Sequence, residues 1–120
     1  MTITLISLLK RRAGMSRTAF VDHYETRHRL IGEQVLGGWA TRYVRRHLQP
    51  TAGDECDHDY DVILEIDFPD QASMDACFVA MQDPTTAAMI AEDEELLFDR
   101  SRSRSYFIEE HHSDLPQTGP

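Results

Sequence analysis

The sequence predicts an α+β fold in which four short strands form one antiparallel sheet and the helices cover one of its faces. Runs rich in β-branched and aliphatic residues alternate with longer helical patterns in the order β-α-β-β-α-β. Glycine, proline and N-capping residues separate these runs. The chain has 120 residues, and folding at this size buries roughly two thirds of the unfolded surface. One domain with a single core is therefore expected.

The first two elements are a strand over residues 2–10 and a long helix. TITLISLLK is short enough for a strand, and its apolar side chains fall on both alternating faces. Gly14 suits the turn that follows, because glycine adopts positive φ without strain. Ser16 is a good N-cap for a helix that should run to about Leu36, where Gly37-Gly38 ends it.

The second half of the chain supplies the remaining strands and two helical segments. Asp83-Pro84 indicates a helix start, because it combines an N-cap with proline at the first helical position. The expected elements are strands over 39–49, 60–68 and 101–110, helices over 71–82 and 84–99, and a polar loop over 51–59. We expect one domain over residues 1–110 and a polar tail over 111–120.

Charge and motifs exclude several classes of protein. Acidic residues outnumber basic ones by 21 to 12, and the resulting net charge of −9 disfavours nucleic acid and anionic membranes as partners. The first residues place apolar side chains before positive ones, the reverse of a secretory signal, and no run approaches the roughly 20 apolar residues of a membrane span. A cytoplasmic protein is expected, with Cys56 and Cys77 as free thiols.

The element order is that of the ferredoxin-like fold, whose helices cover only one face of the sheet. The first strand is apolar on both faces, so its second face needs another cover, which a second copy of the chain can supply. We therefore predict a homodimer whose sheets face each other around a pocket. Asp61, Ile63 and Glu65 share one face of the third strand, which is either a solvated face or a wall of this pocket. A desolvated carboxylate there would need a cationic partner.

The run FVDHYETRHRLIG carries two histidines on a helical pattern. At about 100° per residue counted from Phe20, Tyr24 lies at about 40°, His28 at about 80° and His23 at about −60°. His28 should flank the apolar stripe beside Tyr24, and His23 should lie on the opposite border. We expect no shared metal site, because about 140° separates the two imidazoles.

Two interpretations of His28 are open at this point. Either it is a histidine at the edge of the core that bonds a backbone carbonyl, or it is a general acid or base that works near neutral pH. Tyr43 and His47 share one face of the second strand, which is either a polar edge or part of a ligand pocket.

Four segments resemble the EthD family of dimeric α+β barrel proteins: LLKRRAGMSRTAFVDHYETRH, RYVRRH, YDVILEIDF and IAEDEELLFD. The resemblance extends from about Leu5 to about Glu110. His28, Tyr43 and His47 occupy positions that match the family pattern, and Tyr24 stands where the family often has tryptophan. The match at His28 favours the functional interpretation of this histidine.

The resemblance implies a small, cofactor-free protein that acts on hydrophobic, often aromatic or polyketide-like molecules. Relatives include decarboxylases, dehydratases, cyclases and lactone isomerases, so we expect a lyase or isomerase that uses general acid/base chemistry, with no metal. The expected catalytic residues are His28, Tyr24 and Glu65, and the expected substrate-binding residues are Tyr43, His47, Asp61, Ile63 and Phe20. The alternative is a non-catalytic binding or accessory protein for an apolar metabolite in catabolism.

Overall fold

Four antiparallel strands form one sheet in the order β2-β3-β1-β4. The computed structural model describes residues 1–51, 58–117 and 119. Its strands are β1 (Ile3–Leu9), β2 (Arg42–His47), β3 (Val62–Phe68) and β4 (Arg104–Phe107). Helices follow β1 and β3, so the chain has the ferredoxin-like β-α-β-β-α-β arrangement and the predicted fold class is confirmed.

The helices begin where the capping residues predict. They are α1 (Arg17–His23), a π-helical turn (Tyr24–His28), α2 (Arg29–Leu36), α3 (Gln71–Met81), α4 (Pro84–Leu97) and a short 3₁₀ helix (Arg100–Arg102). The Ser16 hydroxyl accepts a hydrogen bond from the Ala19 amide, and the Asp83 carboxylate accepts one from the Thr86 amide. These caps satisfy amides that the first helical turns leave unpaired.

The two edge strands are shorter than the sequence predicts. β2 starts only at Arg42, because the amide of Trp39 bonds the carbonyl of Leu36 and prolongs the turn after α2. β4 starts at Arg104, since the preceding residues form the 3₁₀ helix, and residues 108–117 have no regular secondary structure. Cys56 and most of the predicted loop lie outside the described residues.

The helices pack on one face of the sheet and form two adjoining clusters of buried side chains. The first cluster contains Leu9, Phe20, Tyr24, Val62, Leu97 and Phe98, and the second contains Leu36, Ile66, Phe68, Met74 and Cys77. On the other face, Ile6 lies opposite Glu65 and Tyr106, and Leu8 lies opposite Ile63. Ile6 and Leu8 are half-buried, although no helix of the described residues covers them. We refer to this second face as the open face of the sheet.

Asp61 joins the end of β1 to the start of β3 and is 3% exposed. Its carboxylate accepts a hydrogen bond from the Arg11 amide at 2.9 Å and lies 3.1 Å from the Lys10 ammonium and 3.4 Å from the Arg11 guanidinium. These protein groups surround the side chain that the sequence analysis assigned to substrate binding. In the structure, these contacts of Asp61 hold the end of β1 and the residues after it against the start of β3.

Within the described residues, no helix combines the length and the apolar character needed to cross a membrane.

We predict that Asp61→Asn lowers the free energy of unfolding by about 3 kcal/mol, because it removes the carboxylate of a buried ion pair and leaves two cations beside a neutral amide. Asp59→Asn is the matched control, since the Asp59 side chain is 91% exposed and meets Arg102 only at 3.5 Å. Urea unfolding should show a change below roughly 0.5 kcal/mol for the control. Equal effects of the two substitutions would contradict a structural role for Asp61.

Candidate functional site

A π-helical turn interrupts the long helix at Tyr24–His28 and changes which side chains share a face. In an α-helix, residues five apart are separated by about 140° around the axis. In a π turn the backbone hydrogen bond spans five residues, which brings positions i and i+5 nearly into line. His23 and His28 are five residues apart across this turn, so they lie on the same side of the helix. Such turns occur frequently at functional sites.

Both histidines bond one carboxylate, that of Asp93 on α4. His28 Nδ1 lies 2.7 Å from Asp93 Oδ2, and His23 Nε2 lies 3.0 Å from Asp93 Oδ1. The three side chains are only 10–15% exposed. The prediction that His23 lies on the opposite border from His28 is therefore wrong, because it assumed a regular α-helix. We call these three residues the His-Asp-His cluster.

Charge determines the proton positions in the His-Asp-His cluster. Burial acts to raise the pKa of Asp93, but the hydrogen bonds from His28 and His23 outweigh it, and the net pKa is lowered. An ionised carboxylate only accepts hydrogen bonds, so both imidazoles donate to it. A neutral His28 then carries its proton on Nδ1 and presents Nε2 as a lone-pair acceptor. The partner of His28 is thus a carboxylate rather than the backbone carbonyl that the sequence allowed.

Asp93 also lines a groove of about 700 Å³ between the π turn, α2 and α4. Its apolar wall is formed by Ile31, Ala88, Met89 and Leu96, and the charged side chains of Arg27 and Glu92 also line it. The volume lies within the range typical of small-molecule sites, roughly 300–1,000 Å³. The groove brings solvent and any small apolar ligand next to the carboxylate that holds His28.

Tyr24 packs between two imidazoles. Its ring centroid lies 5.1 Å from that of His28 and 5.5 Å from that of His47, both with edge-to-face geometry. Phe20 and Phe98 close the remaining sides at 6.0 and 5.7 Å from Tyr24. Edge-to-face packing fixes ring orientations as well as burying apolar area. The aromatic packing therefore holds both imidazoles at defined angles to the Tyr24 ring.

The His47 imidazole, like that of His28, is hydrogen-bonded to a carboxylate. Glu25 accepts hydrogen bonds from Arg45 at 2.7 and 3.2 Å and from His47 Nε2 at 2.9 Å. The hydrogen bonds from Arg45, and then that from His47, overcome desolvation and lower the pKa of Glu25 from 4.5 to about 2. Glu25 is therefore ionised at neutral pH and holds the proton of His47 on Nε2.

Tyr43 completes the site from β2. Its burial raises the pKa of the hydroxyl, which stays protonated at neutral pH. The Arg45 guanidinium lies over its ring, 4.8 Å from the centroid. A Cβ atom at Gly32 would clash with the Tyr43 hydroxyl, so only glycine at this position allows the observed placement of Tyr43.

Five of the eight residues predicted to form the site come together on the helix-covered face: Phe20, Tyr24, His28, Tyr43 and His47. Glu65 and Ile63 belong to the open face, because strand residues alternate between faces. Glu65 pairs there with Arg42 at 3.0 Å and with Arg46 at 3.1 Å, which supplies the cationic partner that a desolvated carboxylate needs. The structure does not bring Glu65 to His28 within one chain.

Sequence reasoning missed Asp93, Glu25 and His23 as members of the site. Asp93 stands among five acidic residues in the run EDEELLFD, and nothing local distinguishes it from a solvated helix face. The only available signal was that this run is one of the four segments that resemble the EthD family. Among the described residues, no group of three or more His, Cys, Asp or Glu side chains is placed to hold a metal ion.

Comparison with known proteins identifies a family and a fold. The EthD domain family matches residues 12–101, and no curated protein matches the sequence.

An EthD family protein from Bacillus halodurans superposes with a TM-score of 0.64 at 16% identity, covering 92% of this chain and 100% of that one. A dimeric ferredoxin-like protein from Thermobifida fusca gives 0.60 at 16% identity, with 90% of each chain covered. SnoaB, a cofactor-independent oxygenase from Streptomyces nogalater, gives 0.56 at 12% identity, covering 97% and 98%. At these identities the structural matches support the fold alone.

The low pKa of Glu25 predicts a specific pH dependence of stability. Since the folded-state pKa is below the ordinary value, ionised Glu25 stabilises the fold fully above about pH 4.5, and this contribution is lost as the pH falls towards about 2. The melting temperature of Glu25→Gln should lie below that of the unmodified protein at pH 6, and the gap should narrow between pH 4.5 and the lowest pH at which both fold. The Glu25 side chain is 34% exposed, so solvent screening keeps the effect modest.

Glu33→Gln provides the control for this measurement, because the Glu33 side chain is 47% exposed and pairs only with Arg29 within the described residues. Its melting temperature should follow that of the unmodified protein closely at every pH. A gap for Glu25→Gln that stays constant down to low pH would show that the fold does not lower the pKa of Glu25.

Proposed function

Since the chain belongs to the EthD family, we propose that it acts on a small hydrophobic molecule as a cofactor-free lyase or isomerase, with His28 as the general acid and base. The reaction class is decarboxylation, dehydration, cyclisation or isomerisation of an aromatic or polyketide-like substrate. Each of these reactions needs a proton to be moved at carbon or oxygen near a carbonyl group. A positioned imidazole contributes on the order of 10²–10⁴ in rate to such a step.

The observation that carries this proposal is the 2.7 Å hydrogen bond between His28 Nδ1 and Asp93. The carboxylate fixes the tautomer and orientation of the ring and stabilises the imidazolium that forms when Nε2 takes a proton. The carboxylate beside His28 is thus that of Asp93, whereas the sequence analysis expected Glu65 among the catalytic residues. The Tyr24 ring, at 5.1 Å from His28, limits rotation of the imidazole. His28 returns its proton to the product in the second half of the reaction.

The groove beside Asp93 supports a hydrophobic substrate. Ile31, Met89 and Leu96 give it apolar walls, and Leu96 is 49% exposed although it is a large aliphatic side chain. An exposed apolar wall next to a buried proton-transfer group is typical of ligand sites. Arg27 at the same groove offers a cation to a carboxylate or phenolate on the substrate.

A non-catalytic binding or accessory protein is the second candidate function. The feature that favours it is the closed hydrogen bonding of the His-Asp-His cluster, in which each carboxylate oxygen already has an imidazole donor. Such a cluster can stabilise the contact between α4 and the π turn without any reaction. In that case a hydrophobic ligand would bind in the groove and leave unchanged.

We predict that the protein catalyses exchange of activated C–H protons with deuterated water. The probes are a panel of aryl β-keto acids and polyketide-like lactones, followed by NMR for both exchange and product. His28→Gln should lower the exchange rate by about 10²-fold or more, because it removes the proton acceptor. Asp93→Asn should lower it by at least about tenfold, because the amide can hold the wrong tautomer.

His111→Gln is the control for these substitutions, since the His111 side chain is 80% exposed and lies outside the sheet. Full exchange activity in His28→Gln would reject the catalytic role of His28. Thermal stabilisation by a probe, with neither exchange nor product in the unmodified protein, would favour the binding function.

The proposed assembly is a homodimer that joins the open faces of two sheets. This face presents Ile6, Leu8, Val44 and Ile63 beside the Glu65 ion pairs, a mixture of apolar and paired polar groups. Its apolar side chains would gain burial from a second sheet packed face to face. The description of the Thermobifida fusca protein as dimeric supports a dimer of this chain. In the dimer, Glu65 and Ile63 would lie at the interface.

Light scattering tests the dimer directly. We predict twice the chain mass of 13.8 kDa at micromolar concentration, and dissociation in Ile63→Lys, because the new cation would be desolvated beside Arg46. Val79→Lys makes the same chemical change at a side chain that is 67% exposed on α3, and it should leave the dimer intact. A monomer mass for the unmodified protein would exclude the proposed assembly.

A further inference from the structure

Among the residues that the structure describes, two buried polar atoms on neighbouring rings lack a hydrogen-bond partner at normal geometry: the Tyr24 hydroxyl and His47 Nδ1. Tyr24 is 0% exposed, and the two ring centroids lie 5.5 Å apart at 85°. Buried polar groups are nearly always paired, and an unpaired one is costly to the fold. Two such atoms on side chains in contact therefore indicate a place where a further polar group belongs.

The chemistry of His47 Nδ1 follows from the groups on the other side of its ring. His47 Nε2 donates to Glu25 at 2.9 Å, and Arg45 holds that carboxylate through two hydrogen bonds. In its neutral form the imidazole therefore has its proton on Nε2, which leaves Nδ1 as a lone-pair acceptor. The missing partner of Nδ1 is a donor.

The Tyr24 hydroxyl presents the complementary chemistry. Its burial, and then its interactions with the neighbouring Tyr43 hydroxyl, raise its pKa, so it stays protonated at any physiological pH. Tyr43 interacts with this O–H but does not meet hydrogen-bond geometry, so the O–H is a donor that lacks a well-placed acceptor. The two orphan atoms thus require one acceptor and one donor, and a single hydroxyl oxygen is both at once.

We propose that Tyr24 and His47 form a subsite for a phenol or enol hydroxyl group of the substrate, which donates to His47 Nδ1 and accepts from the Tyr24 hydroxyl. This inference rests on the proposed function and gives it a substrate class. The subsite lies beside the proton-transfer residue, since the Tyr24 ring contacts His28 at 5.1 Å on its other side. The His47 side chain keeps 18% of its surface exposed, which leaves an approach from solvent.

The subsite also suits the proposed chemistry. As electron density develops on the hydroxyl oxygen of a phenol or enol, Tyr24 stabilises it by hydrogen bonding, and His47 takes up more of the hydroxyl proton. The ionised Glu25 behind His47 stabilises positive charge on that imidazole. The arrangement therefore favours a hydroxyl group over an ether, which lacks the proton, and over a ketone, which also lacks it.

Binding of 4-ethylphenol and 4-ethylanisole tests the subsite, because the two probes differ only in the hydroxyl proton and the methyl group that replaces it. NMR titration should show that the phenol binds at least about tenfold tighter than the methyl ether, as expected for one or two hydrogen bonds in a buried site. The ring ¹⁵N signal of His47 Nδ1 should shift with the phenol alone.

Two variants each remove one of the two hydrogen-bonding groups of the subsite and keep most of the side-chain packing. Tyr24→Phe and His47→Gln should each reduce the preference for the phenol to within about threefold. Tyr106→Phe deletes the same hydroxyl at a side chain that is 52% exposed, and it should keep the full preference. Urea unfolding of each variant establishes that it is folded before its binding is compared.

Equal binding of the two probes, or no binding of either up to roughly 10 mM, would overturn the subsite, as would a preference that survives both variants. In that case an ordered water alone satisfies the two atoms. The binding test of the subsite and the exchange test of the proposed function can give different results. A phenol preference that depends on Tyr24 and His47, without any proton exchange activity, would keep the subsite and reject catalysis.

Discussion

The carboxylate of Asp93 is shared by His23 and His28, and most of the candidate site depends on this sharing. Both imidazoles reach it only because the helix widens into a π turn between them. A regular α-helix would direct the two rings about 140° apart. The turn therefore places a charged group of α4 against the first helix in a largely buried position, where its hydrogen bonds are strong.

A second carboxylate and imidazole, Glu25 and His47, lie on the other side of Tyr24. Each imidazole is oriented by an ionised carboxylate, and each contacts an edge or face of the same phenol ring. Glu25 is held in turn by Arg45, so the second pair includes a cation. The site thus combines one imidazole whose carboxylate partner lines an open groove with one whose buried Nδ1 has no partner among the described residues. This difference suits two roles, proton transfer for His28 and recognition of a polar group for His47.

Features encoded locally could be predicted from the sequence, and features created by tertiary contacts could not. The long helix was predictable because Ser16 and the Gly37-Gly38 pair act within a few residues of its ends. No comparable sequence signal marks the π turn inside this helix. Because the prediction did not include the turn, it placed His23 on the opposite border of the helix from His28. The alternation of β3 correctly placed Glu65 on the open face, but Asp61 lies just before the strand, where Lys10 and Arg11 surround it.

Ring ¹⁵N NMR measures whether Asp93 fixes the protons of both histidines. At pH 8, neutral His28 should carry its proton on Nδ1, and neutral His23 should carry its proton on Nε2. Asp93→Asn should remove this fixed preference in His28. A His28 ring protonated on Nε2 in the unmodified protein, or the same tautomers with and without the Asp93 carboxylate, would show that Asp93 does not fix these protons.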